Sequence, residues 1–141
     1  MKRRFPGLHQ AAQPAETPDG VYLVRVQRAQ YRWHQQRPFY AVQFAVIEPQ
    51  PFAGSLISGR IYCTEKALWK LSWFLRDFGY AAELLGRDEV DTPALVKLHG
   101  VVKITHTTVN GTSLLNFVGF APAARWEELA GSGAAAGSEV A

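Results

Sequence analysis

Four arginines and three aromatic residues dominate the chemistry available between residues 25 and 62: Arg25, Arg32, Arg37 and Arg60, with Trp33, Phe39 and Tyr62 among them. Guanidinium groups neutralise phosphates, and exposed rings give nucleobases a surface on which to stack. Each stacked base contributes about 1–3 kcal/mol. Alternation within strand-like runs is expected to turn these side chains outward, and Lys103, later in the chain, adds a further cation. Taken singly they say little. A lone surface arginine ordinarily does nothing specific, Trp33 can equally close the end of a core, and Phe39 can equally cap a strand. The cluster, rather than any one member, signals a ligand with phosphates and flat bases.

Other chemistries find less support. His9, His34, His99 and His106 are scattered, with neither a His-x-His pair nor a His-Glu-x-x-His run to hold a metal. No glycine-rich phosphate loop occurs. Cys63 is the only cysteine, which excludes a disulfide or a cysteine zinc cluster within one chain, and its place in a strand-like run predicts a buried, unreactive thiol. An enzyme, a metal site and a bound cofactor are therefore not expected.

The chain has 141 residues, 48% of them hydrophobic, and a formal charge of +3. That is enough for one domain with a core. Charge is unevenly spread. Residues 20–66 carry Arg25, Arg28, Arg32, Arg37, Arg60 and Lys66 against Glu48 and Glu65, whereas residues 77–91 carry Asp77, Glu83, Asp88, Glu89 and Asp91 against Arg87. Two oppositely charged faces follow, the acidic one repelling nucleic acid. Met1-Lys2-Arg3-Arg4 resembles the charged lead of a signal peptide, but no apolar stretch follows and none approaches a membrane span. A reducing cytoplasm and no membrane partner are expected.

The elements that must position these groups are legible as patterns. Tyr22, Val24 and Val26 alternate on one face. The apolar parity then flips to Ala29, Tyr31 and Trp33, which predicts a bulge near Gln27 or Arg28. After a loop at His34 to Pro38, a second strand places Tyr40, Val42, Phe44 and Val46 inward. The third, over Leu56 to Thr64, turns Ile57, Gly59, Ile61 and Cys63 inward and Ser58, Arg60 and Tyr62 outward. Thr64 and Gly79 bracket a helix whose stripe is Leu68, Leu71, Leu75 and Phe78. Asn110-Gly111 predicts a type I′ hairpin between Val101–Val109 and Thr112–Phe120. Three strands, a helix and two strands, with the bulge a tightly coiled first strand needs, predict an all-β fold with one helix: a five-stranded OB-fold barrel with the helix between strands 3 and 4. The domain is expected over residues 20–122, with residues 1–19 a disordered tail and 123–141 a flexible one in which Arg125 to Leu129 form a docking helical turn.

Within these patterns, Gly20-Val21-Tyr22-Leu23-Val24, Gly54, Thr64-Glu65-Lys66-Ala67-Leu68 with Leu71, Leu75 and Gly79, and Asn116-Phe117-Val118 carry a resemblance. The chain resembles the small OB-fold single-stranded-DNA-binding proteins of bacteriophages and other mobile elements. That resemblance implies sequence-tolerant coating of single strands during DNA replication or recombination, with single-stranded DNA as partner and RNA not excluded by stacking and phosphate contacts. The chain departs from many single-strand binders in its C-terminal tip, Ser138-Glu139-Val140-Ala141, which lacks an acidic cluster.

Trp69 and Trp73 share the polar side of the helix with Lys66, Lys70 and Asp77. Either Tyr80 to Leu85 or the Trp126 tail covers them, or they form a protein interface, for a second copy or for replication and recombination proteins. A protein-interaction barrel using that face is the alternative reading, and the expectation is that nucleic acid is held on the opposite side.

Overall fold

The break in alternation at Gln27 shapes the sheet. In a computed structural model describing residues 1–10 and 17–130, β1 (Gly20–His34) pairs antiparallel with β2 (Arg37–Glu48), and the register steps from Val26↔Phe44 to Arg28↔Gln43, leaving Gln27 as the bulge. Before it, Tyr22, Val24 and Val26 are buried. Beyond it, Ala29, Tyr31 and Trp33 oppose Val42, Tyr40 and Pro38. The bulge is also where an incoming segment docks: the Val26 N–H donates to the Leu98 carbonyl at 2.8 Å and the Lys97 N–H to the Val26 carbonyl at 2.9 Å. Both backbone polar groups of Val26, next to the bulge, thus have partners.

His34 and Arg37 are directly paired, so β1 and β2 join through a two-residue turn, Gln35-Gln36, with φ of 51° and 64°. The longer loop expected at His34 to Pro38 is not formed. β3 (Leu56–Tyr62) adds to the free side of β2, β4 (His99–Val109) to the free side of β1, and β5 (Thr112–Pro122) to β4. The Asn110-Gly111 turn between β4 and β5 has φ of 51° and 79°, as a type I′ hairpin requires. One antiparallel sheet results, ordered β3-β2-β1-β4-β5. It is not closed: β3 and β5 are its two edges, and they meet through side chains, with Phe117 and Leu115 of β5 against Gly59 of β3.

α1 (Leu68–Asp77) follows β3 through a single 3-10 turn, Glu65–Ala67. Thr64 stands at the N-cap of that turn but makes no side-chain cap. At the other end Gly79, at φ 85°, allows the Gly79 N–H to reach the Arg76 carbonyl and the Tyr80 N–H to reach the Leu75 carbonyl, the paired bonds of a Schellman ending. Leu71, Phe74, Leu75 and Phe78 are buried, whereas Leu68, expected in the stripe, is exposed and Phe74 takes its place. Phe44, Phe74, Phe78, Phe117 and Phe120 form one aromatic cluster, with centroid separations of 4.7–6.0 Å where α1 meets the sheet. Burying each such ring contributes about 1.5–3 kcal/mol.

α1 is not the only helix. α2 (Ala82–Gly86) and a 3-10 turn at Thr92–Leu95 carry the acidic connection, held by Tyr80, whose hydroxyl donates to the Glu89 carbonyl at 3.1 Å and accepts from the Asp91 N–H at 2.7 Å. Part of the expected N-terminal tail is fixed: Thr17 is buried and donates to the Leu56 carbonyl, and the Tyr22 hydroxyl donates to the Pro18 carbonyl at 2.6 Å. Residues 1–9 are exposed, with a 3-10 turn at Leu8–Gln10, and residues 11–16 and 131–141, on which the other tail expectations fall, lie outside the described residues. Residues 126–130 are helical, with Trp126 and Leu129 half-buried. Among the described residues no helix is long and apolar enough to cross a membrane.

Candidate functional site

Where β3 and β5 stand apart, a broad open groove of about 970 Å³ runs between them, floored by Gly59 and Phe117 and walled at one end by the start of α1. Short connections bring its parts together. Only Cys63 and Thr64 separate Tyr62 at the end of β3 from the turn carrying Lys66, and Arg37 is the first residue of β2, whose Phe39 pairs with Tyr62. Arg37, Arg60, Lys66 and Lys70 all line the groove, as do His34 and His106. None of the described lining residues is acidic. His106 is held by Asp19, with Nδ1 and Oδ1 2.6 Å apart.

Arg37, Tyr62, Phe39 and Arg60 form a stack across β2 and β3. The Arg37 guanidinium lies 4.8 Å from the Tyr62 ring centroid, Tyr62 is 5.6 Å from Phe39, and the Arg60 guanidinium lies 4.4 Å above Phe39. Arg60 Nη1 also donates to the Tyr62 hydroxyl at 3.4 Å. Cation–π contact fixes two long side chains that would otherwise be freely mobile, so positive charge is held in place at the groove wall. Phe39 itself is only 4% exposed, covered by Arg60 and Tyr62. It is not available as a stacking ring. Although it lies on the outward parity of β2, cross-strand packing buries it. Tyr62 remains half-exposed and reaches the groove.

The other expected contacts are spread more widely. Arg32 lies on the outer face of β1, beside Gln30, whose Oε1 accepts from its guanidinium, and lines a shallow depression with Arg28, Ala41 and Gln43. That depression shares Ser58 and Gly59 with the main groove, so the two surfaces meet. Arg25 is exposed on β1 opposite Ala45, and Lys103 is exposed on β4 opposite Gly119. Neither lines the groove. Trp33 is 63% exposed near the β1–β2 turn, edge-on to Tyr31 at 6.3 Å, and also stands off the groove.

Trp69 and Trp73 do not occupy a separate face. Trp69 lines the groove together with Arg60 and Tyr62, which removes the expected division between a tryptophan side and a nucleic-acid side. Trp73 packs inward: its Nε1–H donates to Asp77 Oδ2 at 2.8 Å, its ring meets Phe120 edge-on at 5.8 Å, and it lies against Gly119. β5 contributes the Phe120 and Gly119 contacts. Sequence reasoning set Lys66 and Lys70 beside Trp69 on the helix yet did not assign them to the ligand. The signal was the three-residue spacing of Lys66 from Trp69 so soon after Tyr62. Lys70 also ties α1 to β5, its Nζ donating to the Phe117 carbonyl at 2.6 Å.

Cys63 lies just past β3 and is half-buried rather than buried within the strand as expected; partial burial pushes its thiol above the ordinary pKa. Little thiolate forms there at neutral pH. Among the described residues no three histidine, cysteine or acidic side chains converge on a point that could hold a metal ion. Protein-family models and curated protein sequences were both compared with the chain, and neither gave a match.

Proposed function

We propose that this chain binds single-stranded DNA, with little sequence preference, in the groove between β3, β5 and α1. The observation that carries the reading is a groove lined by Arg37, Arg60, Lys66, Lys70 and Tyr62 with no acidic residue among its described lining. A flexible strand can lay its phosphates on those cations and a base on the ring, and stacking of this kind tolerates any base because each has a flat face. Duplex DNA is too stiff and too wide to present bases to Tyr62 without being opened. We further read the fold as a partly open OB barrel, supported by the strand order and by a helix between β3 and β4 that packs on the core. Coating of strands in mobile-element replication or recombination is the setting that the resemblance suggests.

The test is titration of intrinsic tryptophan fluorescence with single-stranded and duplex oligonucleotides of equal length. Quenching by the single strand at concentrations where the duplex has no effect is expected. No response to either, or an equal response to both, removes the reading.

A further inference from the structure

Trp69 is 61% exposed, yet it is not a loose surface side chain. One face of its ring stacks on Trp73, with centroids 6.1 Å apart and planes 25° apart. Trp73 is in turn immobilised by the Asp77 hydrogen bond, by Phe120 and by close approach to Gly119, where a Cβ would come within 3.0 Å of its ring. Lys70, anchored on the Phe117 carbonyl, lies 5.8 Å from the Trp69 centroid. A large flat ring, still mostly exposed, is thus backed by a fixed one and has the Lys70 ammonium over it, in a groove that Lys66 also lines and that has no carboxylate among its described lining residues. A simple core residue would be covered. Rigid support means that little side-chain freedom is lost when a flat partner binds.

We infer that Trp69, braced by Trp73, is a nucleobase-stacking residue that α1 contributes to the groove, with Lys66 and Lys70 taking the flanking phosphates. The inference rests on the nucleic-acid reading above and deepens it. The bound strand then runs from Tyr62 on β3 onto the start of α1, rather than staying on the sheet. Trp73 acts as a positioning residue, since it touches Trp69 and stands behind it.

The test uses the full chain and a labelled oligothymidylate, with affinity read by fluorescence anisotropy at several salt concentrations. Trp69→Ala is expected to weaken binding about tenfold, equivalent to about 1.4 kcal/mol and within the range for one stacked base, without changing the salt slope. Trp69→Phe keeps a stacking face and is expected to recover affinity to within about threefold of the natural chain. Lys66→Ala is expected to lower the slope by about 0.7. If the natural chain binds with steep salt dependence but Trp69→Ala stays within twofold of it, the inference fails and the groove reading stands. Equal losses in the alanine and phenylalanine variants also overturn stacking. Absence of salt-dependent binding by the natural chain overturns both.

Discussion

Phe117 of β5 lies over Gly59 of β3 so closely that a Cβ on Gly59 would stand 2.6 Å from the Phe117 Cζ. The two edge strands, which no ladder hydrogen bonds connect, are held together by this ring in a space that only glycine leaves free. Phe117 is also part of the core, 5.4 Å from Phe44 and 5.9 Å from Phe120. The groove floor and the core are therefore one packing unit.

Gly59→Ala should accordingly destabilise the protein by about 1–3 kcal/mol through overpacking. Phe117→Leu in the same chain should recover part of that loss, because the shorter side chain gives the new methyl room. Urea denaturation of the two single variants and the double variant measures the coupling. Purely additive losses would mean that the ring and the glycine do not constrain one another.

Phe39 and Tyr62 are neighbours with different work to do. Phe39→Ala should cost about 3–5 kcal/mol of stability, as a buried phenylalanine does. Tyr62→Ala should leave the melting temperature within a few degrees but weaken single-strand binding several-fold, from one lost stack. A stable Phe39→Ala variant with impaired binding would reverse these assignments.

Those two residues also show what could be read from the sequence. Periodicity marked Tyr40, Val42 and Phe44 as inward and located the Gln27 bulge, because a parity break leaves a trace in the order of apolar residues. It could not show that Phe39, on the outward parity, is roofed by Arg60 from the next strand, since that contact depends on register. The asparagine-glycine turn was legible and the Gln35-Gln36 turn was not: glutamine carries no local preference for positive φ, and the strands on either side impose it. Arg37, Arg60 and Tyr62 were identified as a group. Their meeting with Trp69 depends on how α1 returns across the sheet, which no spacing along the chain encodes.

That strained turn gives a further expectation. Replacing Gln35-Gln36 by Asn-Gly should stabilise the protein by roughly 1 kcal/mol, because both positions have positive φ and the new residues adopt it more readily. A rise in melting temperature of roughly 3 °C would register it. An unchanged or lower value would show that the glutamines make compensating contacts.

Burial raises the Cys63 pKa, so alkylation of the native protein should be slow at neutral pH and should accelerate only at more alkaline pH than for a free thiol. Unfolding in urea should restore ordinary reactivity. By the same linkage, the contribution of the half-buried thiol to stability is fully present below the unfolded-state pKa and is lost as pH rises through the folded one. Timed reaction with iodoacetamide, with and without urea, measures the difference. Equal rates in both conditions would contradict a shielded thiol.

The most direct measurement of the groove's role is the salt dependence of single-stranded DNA affinity. With three to five phosphates neutralised by Arg37, Arg60, Lys66, Lys70 and their neighbours, the slope of log K against log salt should be about −2 to −3.5, at roughly 0.7 counterions per phosphate. Arg60→Ala should make that slope shallower by about 0.7, while Lys103→Ala, off the groove on β4, should leave it unchanged. A slope near zero, or one that Lys103→Ala reduces and Arg60→Ala does not, would contradict binding in the groove between β3, β5 and α1.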